Sequence, residues 1–194
     1  MWNSPSVLLT LWKVLTSPSP LACGFSAFED YLAQHGRDWE RYAYVKARAL
    51  QGVEAFGQLY RDALRPFVYR RYLDFGVFES LREMKQLIEK QVARRELADH
   101  VKLGPGGIRE IEFIVQAFQL IRGGQDRRLQ TPRIFEALPL LAGGRLLSQT
   151  AVLELKAAYR YLRTLENRIQ MLRDEQTHQL PTDPRQREQL VRAM

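Results

Sequence analysis

From residue 25 onward, apolar side chains recur at helical spacing, and glycine, proline or a capping residue breaks one run from the next. Residues 25–34 read as a short helix closed by Gly36. Residues 37–51 read as a second, closed by Gly52, with Trp39, Tyr42, Ala43 and Leu50 on one face and Glu40, Lys46 and Arg48 elsewhere. Residues 53–64 form a third, stopped before Pro66 because the residue preceding proline is pushed out of helical geometry. The clearest long amphipathic run spans 77–97, with Phe78, Leu81, Met84, Leu87, Ile88 and Val92 at helical spacing. Glu83, Lys85, Glu89, Lys90, Arg94 and Arg95 supply its wet face. After a breaker at 102–107, a helix over about 107–122 carries the stripe Ile108, Ile111, Val115, Phe118 and Ile121. Thr131-Pro132 starts another helix, as N-cap and first helical residue, which ends near Gly143-Gly144. Ser148 caps a long one over 149–173, with Val152, Leu155, Tyr159, Leu162, Leu165, Ile169 and Leu172 inward. Asp183-Pro184 opens the last. No repeat is visible, and no alternating strand apart from the ambiguous Val7–Val14. The expected class is all-α, a helical bundle of helix hairpins.

A chain of 194 residues holds one or two domains and buries a sizeable core. The single cysteine, Cys23, excludes an intrachain disulfide and suits a reducing compartment. The net charge of +7 attracts polyanions such as nucleotides, nucleic acid, acidic proteins or anionic lipid, without choosing among them. The first twenty or so residues stand apart. They hold serine and proline clusters around a short apolar run, and no acid precedes Glu29. Val7–Leu15 is too short to span a membrane and carries Lys13. It imitates a signal-peptide core, and Leu21-Ala22-Cys23 imitates a lipoprotein cleavage site. No basic segment precedes the run, however, and Pro20 sits beside the cleavage site. The expectation is a cytoplasmic protein without a membrane partner.

Three histidines, His35, His100 and His178, are scattered and read as surface or helix-end residues. A structural zinc site has too few ligands. Neither a hydrolase elbow nor a Walker-type phosphate loop is present. Three stretches remain. In 37–48, Arg41, Lys46 and Arg48 offer cations to a phosphate chain; the plainer reading is a solvated amphipathic face with Glu40 pairing nearby bases. In 102–113, a glycine-rich loop opens a helix, so Gly106, Gly107 and Ile108 are positioned to present N–H groups to an anion, with Arg109 closing over it. The plainer reading is a connector whose Glu110 and Glu112 favour the helix N-terminus. Those two carboxylates project from different sides of a helix and make a poor metal pair. In 64–75, aromatics and arginines suit a nucleic-acid surface, or a packed turn with core aromatics.

These stretches carry a resemblance. Phe25-Ser-Ala-Phe-Glu-Asp-Tyr31, Gly36-Arg-Asp-Trp-Glu-Arg-Tyr42 with Lys46-Ala-Arg48, and the 64–75 block lie in order with Glu79-Ser-Leu-Arg-Glu-Met-Lys85, the Gly-Gly-Ile-Arg-Glu-Ile-Glu-Phe113 run, Gln119-Leu-Ile-Arg-Gly-Gly124 and Asp174-Glu-Gln-Thr-His-Gln-Leu-Pro181. Over roughly 19–194 the chain resembles the bifunctional glutamine synthetase adenylyltransferase, the adenylyl-removing enzyme, and best its N-terminal half. The resemblance implies AMP transfer from ATP to a tyrosine of glutamine synthetase, and AMP removal by phosphorolysis to ADP. It also implies two magnesium ions held by three carboxylates on a small sheet, and control by a PII-type signalling protein; nucleic acid is not expected. In such enzymes that sheet lies upstream of the matched helices, and near the position of the remaining carboxylate this chain has Leu8 and Leu9. The expectation is therefore the helical part of a nucleotidyltransferase-fold enzyme without its catalytic sheet, inactive alone, and with no catalytic or metal-ligating residue in this chain. Its divisions are a non-matching segment 1–18, the helical end of the nucleotidyltransferase domain 19–75, and a helical bundle 76–194. By motif, Lys46, Arg48, Gly106, Gly107 and Arg109 become candidates to contact nucleotide phosphates, and Glu110 and Glu112 to border the active site. A similar Gly-Gly-x-Arg-[Asp/Glu] element occurs in the related uridylyltransferase. The alternatives are a non-catalytic helical module that binds glutamine synthetase or a PII-type regulator, and a basic nucleic-acid-binding domain.

Overall fold

The computed structural model describes residues 23–48, 53–70, 79, 82–83, 85–86, 90, 97 and 99–194. Residues 1–18 and the ambiguous Val7–Val14 lie outside them, as does the apolar stripe expected over 77–97. Of that predicted helix, Glu79, Arg82, Glu83, Lys85, Gln86 and Lys90 are helical and exposed, whereas Leu97, at its expected end, is half-buried and not helical. Among the described residues the fold is all-α, as expected, and the sole sheet-like feature is an isolated bridge between His100 and Gln179. No helix among them is long and apolar enough to cross a membrane. The chain divides into two units, Met1–Gly36 and Arg37–Met194. The described part of the first is helix α1 (Phe25–Gln34), which buries Leu32.

In the second unit, α2 (Asp38–Tyr44) is shorter than the sequence suggests. Its last turn tightens, with the N–H groups of Lys46 and Ala47 donating to carbonyls three residues back, Ala43 and Tyr44. The residues it buries are Glu40 and Arg41 rather than an apolar stripe. Next come α3 (Val53–Leu59), a π-helical turn (Tyr60–Leu64) and α4 (Arg65–Val68). The expected stop before Pro66 does not occur. The Arg65 N–H reaches back five residues to Tyr60, and this wide turn makes room for a proline ring that would otherwise strike the carbonyl four residues earlier. Phe67, Val68 and Tyr69 are buried, which agrees with the packed-turn reading of that segment as far as Arg70.

α5 (Ile108–Arg122), α6 (Ile134–Gly143), α7 (Gln149–Arg173) and α8 (Pro184–Ala193) pack around two apolar clusters. One joins Val101, Ile108, Ile111, Tyr159, Ile169 and Leu190. The other joins Val115, Leu129, Ala137, Leu138, Leu141 and Val152. Local signals fix the ends of α7 and α8. The Ser148 hydroxyl accepts from the Ala151 N–H at 3.0 Å, and Asp183 accepts from the Arg185 N–H at 3.1 Å ahead of Pro184. α6 begins later than Thr131-Pro132 suggests. Thr131 Oγ1 accepts from Arg133 N–H and donates to Glu136, so it braces a turn before the helix while Arg133 takes the cap position.

Candidate functional site

The loop before α5 is built by its glycines. Gly106 has φ +70°, a conformation that L side chains rarely adopt. A Cβ on Gly107 would lie 2.7 Å from the Val101 carbonyl oxygen and 2.8 Å from that of Gly104. This close folding consumes the donors expected to cradle an anion. The Gly106 N–H donates to Glu110 Oε2 at 2.7 Å, Gly107 to the Gly104 carbonyl, Ile108 to Val101 and Arg109 to Lys102. Gly106 and Gly107 therefore shape the loop and do not point free N–H groups at a ligand. Glu110 serves as the loop's internal acceptor and is exposed.

One turn along, Glu112 is buried and gathers partners from three parts of the chain. Its Oε1 accepts from Lys46 Nζ at 2.7 Å, from the Tyr159 hydroxyl at 3.0 Å and from Arg163 Nη2 at 3.2 Å. Its Oε2 faces Arg109 Nη1 at 3.6 Å. Burial alone would raise its pKa, but Lys46, Arg163 and Arg109 outweigh that and hold the carboxyl below its ordinary value. A second buried carboxylate, Glu166, stands beside it. Arg163 bridges the two, donating to Glu166 Oε2 at 2.7 Å, while His178 Nδ1 is 2.9 Å and Lys102 Nζ 3.9 Å from Glu166 Oε1. Here too burial opposes ionisation, and the bonds from His178 and Arg163 with the charges of Arg163 and Lys102 bring the pKa down to about 2. Lys102 is itself pulled below its ordinary value, first by burial and then by the nearby Arg109 and Arg163, partly offset by Glu166. Four cations face two carboxylates, so the cluster holds an excess of positive charge. All four remain partly open to water, Arg163 most, at 40% side-chain exposure.

Of the sequence candidates, the structure brings Lys46, Arg109 and Glu112 together. It leaves Arg48 exposed and gives Glu110, Gly106 and Gly107 to the loop. Arg41 is not available to a phosphate chain. It is 2% exposed and is spent on the carbonyls of Phe67 and Val68, which α4's end leaves without helical partners. Nor are the histidines all scattered, since the rings of His100 and His178 lie 5.4 Å apart. Lys102, Tyr159, Arg163, Glu166 and His178 were not singled out as site residues. One signal was present, because Glu166 falls in register with the inward residues Tyr159, Leu162 and Ile169, a charged position on an apolar face.

Magnesium does not fit the described residues. Glu112 and Glu166 are each engaged by lysine and arginine, and no group of three His, Cys, Asp or Glu side chains among the described residues converges as a metal site.

Two family models match the chain. One, described as GlnD PII-uridylyltransferase, matches residues 82–194, more than half of the chain. The other, described as glutamate-ammonia ligase adenylyltransferase, matches residues 16–63. Both descriptions are of enzymes that transfer a nucleotidyl group. Lys46 lies in the second stretch, whereas Glu112, Arg109 and Arg163 lie in the first, so the ionic cluster is where the two matched stretches meet.

Proposed function

The chain belongs to the GlnD PII-uridylyltransferase family of nucleotidyltransferases, and from that premise we propose that it is the helical part of an enzyme that adenylylates a tyrosine of glutamine synthetase and removes the AMP again. The adenylyltransferase match over 16–63 supports glutamine synthetase, also called glutamate-ammonia ligase, as the target. In the removal direction, an oxygen of inorganic phosphate attacks the AMP phosphorus. The bond from phosphorus to the tyrosine oxygen breaks, ADP leaves, and the tyrosine oxygen regains its proton. The observation that carries this reading is the partly open cluster of Lys46, Lys102, Arg109 and Arg163 with its excess of positive charge. Such cations bind nucleotide phosphates and offset charge on a transferring phosphoryl group. Magnesium and the carboxylates that hold it belong to the catalytic sheet of the complete enzyme. This chain alone binds nucleotide without turning it over, in the cytoplasm and under a PII-type regulator.

The test is titration calorimetry of ADP and ATP with this chain. Charge reversal, Arg109→Glu, weakens binding more than tenfold while the chain still melts cooperatively by circular dichroism, at a lower temperature because the buried Glu112 loses a partner. Equal affinity in the variant removes Arg109 from the site, and the absence of nucleotide binding to the parent chain overturns the reading.

A second reading has its own observation. On α7, Leu153, Tyr161 and Met171 are 58%, 56% and 70% exposed along one face. A non-catalytic module that docks glutamine synthetase or a PII-type protein would use such a face. Stable capture of glutamine synthetase without nucleotide binding favours it. Retention on DNA with a steep salt slope would favour the nucleic-acid alternative, although the burial of Phe67 and Tyr69 takes those rings out of base stacking.

A further inference from the structure

Gln116 follows Glu112 by one helical turn on α5 and is only 4% exposed. Its amide oxygen Oε1 is fully buried and has no hydrogen-bond partner. Its neighbour Gln119 differs: that amide nitrogen donates to the carbonyls of Leu129 and Thr131, both at 2.7 Å, and ties the following loop to the helix. Gln116 lines a small cavity together with Lys46, Glu112, Gln119, Pro132 and Ile134. The cavity has room for about one water-sized group. Lys46 Nζ carries three N–H donors and gives one to Glu112, so the residues lining the cavity include both a donor and an unpartnered acceptor.

We propose that this cavity is a hydroxyl-binding site, in which one neutral O–H group accepts from Lys46 Nζ and donates to Gln116 Oε1. The chemistry of the walls selects that class. An ionised phosphate or carboxylate oxygen has no proton for Gln116 and would face Glu112, and a whole hydrogen phosphate is too large for a cavity of about one water. An ammonium would sit against Lys46. A carbonyl accepts from Lys46 but leaves the amide oxygen buried without a donor, which is costly. A hydroxyl satisfies both walls. It has two sources, a water molecule or a ribose hydroxyl of a nucleotide held by the adjoining cations. The ribose arm rests on the nucleotide reading above; the water arm does not.

Two measurements on the full chain separate these. Gln116→Met keeps the side chain's length and removes the acceptor. With a hydroxyl seated in the cavity, the substitution lowers Tm; a Tm that holds or rises shows that the amide oxygen had no occupant to bond and overturns the proposal. The second measurement compares ATP with 2′-deoxy-ATP and 3′-deoxy-ATP. A loss of about tenfold for one deoxynucleotide in the parent chain, erased in Gln116→Met, identifies the ribose as the source. Equal affinities alongside the lowered Tm identify water. If ATP does not bind at all, the phosphate reading of the cluster falls, while the Tm comparison still decides the cavity.

Discussion

On α2, Arg41 is sealed from water and donates to two backbone carbonyls and to Asp38 at 3.0–3.2 Å. Between α5 and α7, Arg163 also makes several bonds, to Glu112, Tyr159 and Glu166, yet its side chain is 40% exposed. Arg41 works as a strut. It closes carbonyls that the end of α4 leaves open, and its charge has nowhere else to go. The Glu112–Glu166 cluster has the opposite balance, since the buried partners are anions and the water-facing partners are cations. Buried polar chemistry in the first region fixes the chain; in the second it also leaves positive charge facing outward. Arginine burial by itself therefore says little about function, and the exposure of the cation separates the two cases.

The largest effect expected is at the strut. Arg41→Ala removes its three bonds and strands the carbonyls of Phe67 and Val68, and should cost about 3 kcal/mol of stability in urea melts. Glu112→Gln should cost less, about 1–2 kcal/mol, because Lys46, Arg109 and Arg163 can each turn to solvent. It should also strengthen stabilisation by phosphate ions, since one negative charge leaves a cluster that already has too few. If Glu112→Gln proves as damaging as Arg41→Ala, or phosphate stabilises it less than the parent, the contrast between strut and cluster is wrong.

The two regions also differed in how far their sequence could be read. α7 is legible to the residue, because a continuous apolar stripe and the Ser148 cap are local signals, and the start of α8 is legible from Asp183-Pro184 alone, since that helix buries only Leu190. α2 was misjudged in both length and face. Its buried Arg41 answers to carbonyls 26 and 27 residues further on, which no helical period encodes. Pro66 looked like a stop because the π-helical turn ahead of it has no simple sequence mark. At the cluster, family motifs brought Lys46, Arg109 and Glu112 onto one shortlist. Nothing in the spacing pairs residues 66 apart, as Lys46 and Glu112 are, or 47 apart, as Tyr159 and Glu112 are. The glycine loop showed the reverse error. Its composition suits an anion cradle, but its fold turns the donors inward.

A smaller effect, set by pH, probes the second carboxylate. Glu166 has a folded pKa of about 2 against an ordinary 4.5. As acid is added, the unfolded chain takes up the proton first, so the stability this group contributes is complete above about pH 4.5 and is lost between there and pH 2. Urea midpoints followed over that window should fall more steeply in the parent than in Glu166→Gln, which has no carboxyl there to titrate. Parallel curves would mean that Arg163, His178 and Lys102 do not stabilise its ionised form.

The smallest effect lies on the surface of α8. Arg192 and Glu188 form an i, i+4 pair at 2.7 Å, with side chains 77% and 64% exposed. The order, glutamate before arginine, is the favourable one, yet water and salt screen such a pair, so Arg192→Ala should cost only about 0.3 kcal/mol. The Lys46–Glu112 pair has the same 2.7 Å separation, but its carboxylate is only 5% exposed. Lys46→Ala should therefore cost distinctly more than Arg192→Ala in the same melt, and the gap should survive 0.5 M salt, since a buried partner is screened far less. Equal losses would mean that the buried carboxylate is held by Arg163, Tyr159 and Arg109 without help from Lys46. Lys46 would then contribute nothing to the fold, and its place in the cluster would have to be explained by a ligand.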